Sequence, residues 1–483
     1  MEHTRRTIMV GLAIALLAAI PDAGANERTA TLLLFMQPHD VRDTVGHLSY
    51  DDNVLGFRGN IQGTDLRTGG FQMIFSAPEA NEGTSPPFRT LLATAEARGG
   101  YLVYGTKHEQ QGRNYRWGVF RGRTPDGHTL TDWTQVYACP PGEWLIESMI
   151  THRPDTGRLF FYTWSRSDRK DIEGHALRGF TSADGTRWQA ISAEPIYYDH
   201  DAFGVMWDAR TGRFLAYQVT YEPRKKPYPD NMGSERRRVL SIRASRDGLH
   251  WETLKDVGRD GRMTPDAQDP PEVEFYRMFA FPFADRYVAM VDLYAPSPLT
   301  PGKHGPHLGC QWWVSHDAVH WQRPWRRTDA QGDAPYPIKM APMYFGREML
   351  WWIANGVWSL PENRIASVGA QANAAFTSKP FRMPGRPLQL NATIPSGSGL
   401  FQQAYVMVEL LDAAGKTVPG YEREKCLLRG VDDTRIPLLW QNRDGTELAD
   451  RELSLRFYFR SARLYAVTHE THGTERGAVS SPR

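Results

Sequence analysis

A seven-residue turn occurs three times in this chain and constrains its fold more than any other feature. "SADGTRW" covers residues 182–188, "SRDGLHW" covers 245–251 and "SHDAVHW" covers 315–321. The Ser and Asp side chains of such a turn can bond to its backbone, and Gly can adopt a positive φ. Copies at three separate angles around a repeating fold cannot converge on one substrate, so the repetition predicts architecture rather than chemistry.

The turns close a longer repeat, seen best at residues 145–188, 201–251 and 274–321, with looser copies from Phe88 and Ile338. Each unit reads as four strands, and five units of roughly 45–50 residues are typical of β-propeller blades. We expect Trp251 to pack on a neighbouring blade. We expect the strand at 31–36 to complete the last blade, which removes an exposed sheet edge.

The pattern changes after Pro380 to longer strands with clean alternation, such as "ELSLRFYFRSARLYAV" from Glu452. Half-buried strands of this kind predict a separate β-sandwich. The predicted fold class is therefore all-β: a five-bladed β-propeller over 26–380, followed by a C-terminal β-sandwich over 381–472. The polar end, 473–483, is expected to be a disordered tail.

Residues 1–25 resemble an export signal, with Arg5 and Arg6 before an apolar run from Ile8 to Ile20 and small residues at 23–25. The run is shorter than the roughly 20 residues that span a bilayer. We therefore expect a periplasmic or secreted protein with no membrane insertion. A net charge of +2 argues against a nucleic-acid partner.

Recognisable cofactor motifs do not stand out in the sequence: there is no zinc-type ligand spacing, phosphate loop or dinucleotide fingerprint. We therefore expect no cofactor, although a propeller channel could hold a structural calcium ion. Three cysteines allow at most one disulfide bond and require none.

Charged residues recur where the innermost strands begin, on the face opposite the repeated turns. Any active site is expected there, and the alternative is that the carboxylates form structural ion pairs with Arg89, Lys339 or Arg277. The candidate catalytic residues are Glu147, Asp201 and Glu274. The candidate substrate-binding residues are Arg89, Trp144, His200 and Lys339.

Three segments carry a resemblance to a known group: "HDAFGVMWDARTGRFLAY" from His200, "PPEVEFYRM" from Pro270 and "TSKPFRMPGRPLQLNA" from Thr377. The chain resembles the invertase and arabinanase-type glycoside hydrolases of families 32 and 43 over most of 30–470, especially a bacterial branch with a C-terminal β-sandwich. The resemblance implies a five-bladed propeller with three carboxylates in its funnel. The group's N-terminal nucleophile motif is absent, and "MQPHDVRD" offers Asp40 and Asp43 instead.

Glycoside cleavage requires one protonated carboxyl and one ionised carboxylate. Our hypothesis makes Asp201 the base or nucleophile and Glu274 the general acid, while Glu147 tunes the pKa values and holds hydroxyl groups. Glu272 shares a strand face with Glu274 and could replace it. The loops 107–114, 165–176, 221–238 and 295–307 hold 12 Lys or Arg against 7 Asp or Glu, which favours an anionic glycan unless the charge is incidental.

Two other functions remain open. A polysaccharide lyase would use His or Tyr as base and acid, with Arg or Lys neutralising a uronate. A non-catalytic propeller would bind a glycan without releasing product. The histidines available to a lyase are His108, His175, His200, His304 and His307.

Overall fold

The computed structural model describes residues 28–53, 55–60, 62, 89–96, 99–111, 114–140, 147–166, 174–224, 235–294, 307–326, 339–353, 356–396 and 404–471. The predicted export signal, the predicted tail and Trp144 lie outside these ranges. The described chain is all-β, as the sequence predicts, with three short 3₁₀ helices at Pro38–Asp40, Arg423–Lys425 and Thr446–Leu448. Within these ranges, no helix has the length and apolar character needed to cross a membrane.

Four strands precede the repeats: β1 (Arg28–Leu34), β2 (Val41–Val45), β3 (Ser49–Asp52) and β4 (Gly56–Asn60). They do not pair with one another. Each is hydrogen-bonded to a strand from a distant part of the chain.

Five antiparallel sheets follow in chain order. Sheet 1 contains β5 (Arg89–Ala95), β6 (Tyr101–Gln111), β7 (Asn114–Thr124) and β8 (Thr131–Ala138). Sheet 2 contains β9 (Ser148–Arg153), β10 (Arg158–Arg166), β11 (His175–Ser182), β12 (Gln189–Ala190) and β13 (Tyr197–Asp199). Sheet 3 contains β14 (Phe203–Asp208), β15 (Arg213–Pro223), β16 (Arg236–Ser245) and β17 (Glu252–Thr253).

Sheet 4 contains β18 (Glu274–Phe283), β19 (Arg286–Tyr294) and β20 (His307–Ser315). Sheet 5 contains β21 (Met343–Phe345), β22 (Glu348–Ile353) and β23 (Gly356–Pro361), and its fourth strand is β4 from the N-terminal segment. In both sheets a tight turn joins the first two strands, at residues 284–285 and 346–347, as the repeat predicts.

Each sheet packs on the next, and the last packs on the first. The first strands of sheets 1, 2, 3 and 4 contact one another in that order. Trp312 of sheet 4 lies against Trp351 of sheet 5, with ring centroids 6.2 Å apart. Trp352 of sheet 5 donates its indole hydrogen to the Gly127 carbonyl, in the turn between β7 and β8 of sheet 1, at 2.7 Å. These contacts bring the starts of the first strands towards a common centre.

The expectation that residues 31–36 close the last sheet is wrong. β1 pairs instead with Ala462–Thr471 near the C-terminus. Phe35, which follows β1, packs against Phe376 and Phe457, with ring centroids 5.1 and 5.3 Å away. The strand that does complete sheet 5, "GFRGN", contains two glycines and has no apolar alternation, so its sequence gave no strand signal.

The remaining strands are β24 (Ala366–Ala370), β25 (Ala374–Ser378), β26 (Phe381–Arg382), β27 (Leu388–Ile394), β28 (Tyr405–Leu411), β29 (Leu427–Leu428), β30 (Val431–Pro437), β31 (Glu452–Arg460) and β32 (Ala462–Thr471). With the N-terminal strands they form two six-stranded sheets. Sheet A has the order β3-β24-β32-β27-β30, with β1 also on β32, and sheet B has the order β2-β25-β31-β28-β29, with β26 also on β31.

A continuous apolar core links sheets A and B. The alternation in β31 is as predicted, since Leu453, Leu455 and Phe457 are buried in this core. Strand pairing crosses the predicted boundary at residue 380, however, because β24 and β25 precede it and pair with β32 and β31. The buried Ala, Val and Phe of those two strands suit either architecture, so their pattern could not locate the change.

The repeated turns are structural, as predicted. In the second copy, Ser245 Oγ lies 3.0 Å from Asp247 Oδ1 and accepts a hydrogen bond from Gly248 N at 2.9 Å. Gly248 has a φ of 82°. Trp251 packs on Tyr162 of sheet 2, with ring centroids 5.7 Å apart, which is the contact expected with a neighbouring repeat.

Candidate functional site

Glu147 and Lys339 meet across the centre of the five sheets. Glu147 immediately precedes β9 in sheet 2, and its carbonyl accepts hydrogen bonds from Trp164 N at 3.0 Å and Thr163 Oγ1 at 3.1 Å. Lys339 lies four residues before β21 in sheet 5, and its ammonium group forms an ion pair with the Glu147 carboxylate. Sheets 2 and 5 are not neighbours in the packing order. The pair therefore shows that residues at the beginnings of the first strands of separate sheets converge, and we call this region the strand starts.

Arg277 of sheet 4 joins the same network. Its guanidinium lies 3.6 Å from Glu147 Oε2 and 3.7 Å from Asp292 Oδ2. The Glu147 and Asp292 side chains are almost fully enclosed, at 4% and 1% exposure. Two cations and two carboxylates therefore meet at this point, which is the ion pairing that the sequence left open for Glu147.

Glu274 lies between sheets 3 and 4 and is fully buried. Its carboxylate forms ion pairs with the guanidinium groups of Arg224 and Arg238, the latter at 2.6 Å. Arg238 also stacks over the Tyr294 ring, 5.1 Å from its centroid. Two guanidinium groups stabilise the ionised carboxylate, which is the form that cannot donate a proton.

Asp201 has a different environment. Its side chain is 20% exposed, and its Oδ2 lies 4.0 Å from His175 Nε2, whose side chain is 33% exposed. Burial raises the pKa of Tyr276 on sheet 4, and the negative charge of Asp201 raises it further. Asp201 is therefore a carboxylate at the strand starts that is both accessible and close to a histidine.

His200 is held by the backbone around it. Its N–H donates to Asp199 Oδ1 at 2.9 Å, and its carbonyl accepts from Gln218 Nε2 at 2.6 Å. The imidazole lies edge-on to Tyr221, with ring centroids 4.2 Å apart. Asp199, which the sequence analysis missed, binds Arg243 at 2.6 Å and so fixes this turn next to Asp201. The acidic pair in "YYDHD" was the available signal.

The basic loops only partly form a charged rim. Arg238, counted within loop 221–238, is 1% exposed because it pairs with the buried Glu274 carboxylate. Arg224 of the same loop pairs with that carboxylate as well. Arg237 pairs with the buried Glu222. Much of the other three loops lies outside the described residues, as do the side chains of Arg89, His108, His304 and His307.

Asp40 lies away from the strand starts. Arg286 Nη1 binds its Oδ2 at 2.9 Å, and the N–H groups of Met36 and Gln37 donate to the same oxygen at 2.9 and 3.0 Å. Arg286 begins β19, at the turn end of sheet 4, whereas Glu274 begins β18 at the other end. Asp40 therefore cannot serve as the missing nucleophile in this arrangement, and Asp43 is exposed to solvent.

Within the described ranges, no three His, Cys, Asp or Glu side chains come together in a way that could hold a metal ion. Among the described residues, the arrangement at the strand starts offers the accessible carboxylate of Asp201 beside His175, and two largely enclosed cations paired with Glu147 and Asp292. It can bind hydroxyl groups or an anion and can move a proton.

No protein-family model matches the chain, and no curated protein matches it. Similar solved structures include an N-acetylgalactosamine deacetylase from F. plautii in complex with a blood group B trisaccharide (TM-score 0.38, 10% identity, 84% of this chain and 95% of that chain). An exo-inulinase from Aspergillus awamori gives a TM-score of 0.37 at 11% identity over 80% of this chain and 96% of that one.

A β-fructofuranosidase of glycoside hydrolase family 32 from Bombyx mori gives a TM-score of 0.35 at 8% identity over 80% of this chain and 91% of that one. The inulinase and the β-fructofuranosidase are hydrolases of the group that the sequence resembles. None of these TM-scores reaches 0.5, so the functional conclusion rests on the chain's own residues.

Proposed function

We propose that this chain is an exported carbohydrate-active enzyme, a glycoside hydrolase that acts on an oligo- or polysaccharide. We interpret sheets 1–5 as a five-bladed β-propeller and sheets A and B as its C-terminal β-sandwich. The observation that carries the proposal is the ion pair of Lys339 with Glu147. This contact joins two non-neighbouring sheets, and the partly exposed Asp201 precedes β14, the strand of sheet 3 that contacts β9.

Asp201 is proposed as the base or nucleophile. A glycosidase needs an ionised carboxylate that can reach the sugar or an attacking water. Asp201 is partly exposed, and its Oδ2 lies 4.0 Å from His175 Nε2.

The general acid is proposed to be Glu272 rather than Glu274. A proton donor must reach the glycosidic oxygen, and Glu274 is fully enclosed by Arg224 and Arg238. Glu272 lies two residues earlier in the chain and is partly exposed. This is the replacement that the sequence had left open.

Glu147 is proposed to organise the cations. It holds Lys339 and Arg277 in fixed positions, and their N–H groups can donate to sugar hydroxyls or to a uronate carboxylate. Glu147 and Asp292 balance the charge of these two cations, so we propose hydrogen bonding to the glycan rather than attraction by a surplus of positive charge, and we propose no bound cofactor.

A polysaccharide lyase is the second candidate, and the pair of His175 and Asp201 favours it specifically. A histidine beside a carboxylate can act as a base, while Lys339 and Arg277 could neutralise a uronate. The product would then carry a carbon–carbon double bond that absorbs ultraviolet light.

The test is a screen of the secreted, mature protein against neutral and anionic polysaccharides, read by product chromatography and ultraviolet absorbance together. We expect oligosaccharide release from at least one glycan without new absorbance, and loss of that release in Asp201→Asn. New absorbance would establish the lyase. Unchanged turnover in a well-folded Asp201→Asn protein would contradict the role of Asp201 in the hydrolase and in the lyase alike.

A further inference from the structure

A cavity lies where sheet A meets the end of sheet 5 that is opposite the strand starts. Its volume is about 620 Å³, within the roughly 300–1,000 Å³ of small-molecule sites. Pro361 in its lining ends β23, at the turn end of sheet 5 rather than the end that carries Lys339. The polar side chains that line it include Ser49, Asp51, Arg364, Gln371, Asp432 and Arg463.

Paired residues of two strands line this space. Gly369 and Ala370 of β24 pair with Arg463 and Ala462 of β32, and all four line the cavity. A side chain at Gly369 would lie against Ser49 Oγ, 3.1 Å from the added Cβ, and would narrow the cavity. The side chains of Ala370 and Ala462 pack in the apolar core instead.

Arg364 forms a rigid wall of the cavity. Its side chain is 9% exposed, and its guanidinium donates to Asn391 Oδ1 at 2.7 Å and to Asp432 Oδ1 at 2.6 Å. It also stacks on the Tyr465 ring, 4.7 Å from the centroid. A charged group fixed by three partners is pre-organised and loses little entropy when a ligand binds.

The chemistry of the lining points to a ligand without net charge. Two carboxylates, Asp51 and Asp432, balance two guanidinium groups, Arg364 and Arg463. Ser49 Oγ donates to Asp51 Oδ2 at 3.1 Å, so hydroxyl and carboxylate lie side by side. Alternating donors and acceptors of this kind match a polyhydroxylated molecule. An anion would be repelled by the two carboxylates, and a cation would be repelled by the two guanidinium groups.

We propose that this cavity is a second binding site, for a neutral saccharide of one or two rings, separate from the site at the strand starts. Recognition is by hydrogen bonds rather than stacking, because Arg364 covers the face of Tyr465. The inference does not depend on catalysis at Asp201.

The test is isothermal titration of the full mature chain with sucrose, maltose, cellobiose and lactose. Two variants alter the cavity, Asp51→Asn and Arg463→Gln, and Arg463 is exposed, so its substitution leaves the core intact. Arg382→Gln is the matched control, an exposed arginine elsewhere in the sandwich. Asp201→Asn controls for binding at the strand starts.

We expect at least one disaccharide to bind, with affinity lowered at least about tenfold in both cavity variants, as for loss of a hydrogen bond to a charged group. The two controls should bind as the unaltered chain does. Absence of binding by all four sugars, or binding weakened only by Asp201→Asn, would overturn the proposal. A chain inactive on every glycan yet showing this binding would contradict the proposed function alone.

Discussion

The Tyr162 hydroxyl of sheet 2 donates a hydrogen bond to the Gly248 carbonyl, in the repeated turn of sheet 3, at 3.1 Å. The relationship recurs one repeat later, where Tyr217 of sheet 3 donates to the Ala318 carbonyl in the turn after sheet 4, at 2.9 Å. In both cases a buried tyrosine caps a turn of the following repeat. The repeated turn is therefore a joint between sheets as well as a connection within one.

Substituting Gly248 should weaken this joint. An alanine Cβ at this position would lie 2.5 Å from the Tyr162 hydroxyl, on a backbone with φ of +82°. We expect Gly248→Ala to lower the free energy of unfolding by about 2–4 kcal/mol, from clash and backbone strain together. Denaturant unfolding provides the measurement.

Gly212→Ala is the matched control for that substitution, because Gly212 has φ of +63° and no atom near the added Cβ. It should show only the strain of the positive φ, about 1–2 kcal/mol. Equal losses for the two variants would mean that the Tyr162 contact contributes nothing.

Asp40 should be important for stability and not for turnover. Removing its charge takes away one of the two carboxylates that pair with the buried Arg286, while Asp285 stays at 2.8 Å, so we expect Asp40→Asn to cost about 1.5–3 kcal/mol of unfolding free energy. The exposed Asp43→Asn should change it by less than about 0.5 kcal/mol. If folded Asp40→Asn protein lost turnover at a temperature where it stays native, Asp40 would belong to the active site after all.

Substitutions of Glu272 and Glu274, at the start of sheet 4, should have different effects on stability and turnover. Glu274→Gln breaks a buried ion-pair set and should destabilise the protein by roughly 3–5 kcal/mol. Glu272→Gln should leave stability unchanged and lower kcat by about 10²–10⁴-fold. Unfolding and kinetics are measured on both variants, and a stable Glu274→Gln protein without turnover would return the acid role to Glu274.

The pair Asp317 and His320 should make stability depend on pH. Partial burial alone would raise the pKa of Asp317, but hydrogen bonds from His320 and the turn backbone outweigh it and lower the pKa to about 2. The Asp317 hydrogen bond raises the pKa of His320. The folded carboxyl titrates below its unfolded pKa of about 3.9, so its contribution is present above that pH and lost as pH falls towards 2.

The histidine contributes in the opposite sense. Its stabilisation is complete below the unfolded pKa of about 6.5 and is lost as pH rises through the raised folded value. His320→Gln should therefore differ most from the unaltered chain between about pH 4 and 6.5, and by a small amount because both side chains are exposed. Unfolding curves across pH check this, and a difference that grows above pH 8 would contradict it.

The sequence predicted the repeated units well because each copy of the turn fixes the register of the strands around it. The sequence also predicted that Glu147 and Lys339 lie together at the strand starts, because each residue precedes the first strand of its sheet. It missed the environment of Glu274, because Arg238 lies in a run of charges, "SERRR", that resembles a solvated loop. Whether a charged side chain turns inward depends on partners from another sheet, which spacing along the chain does not reveal.

The N-terminal strands also set the order in which this chain can fold. Arg28 pairs with Thr471, and Ser49 pairs with Gly369, so sheet A draws on both ends of the chain. Contacts between residues so far apart carry a high entropic cost of loop closure and make folding slow. During synthesis β1 emerges long before its partner β32, and sheet A can be completed only once the chain has been made as far as Thr471.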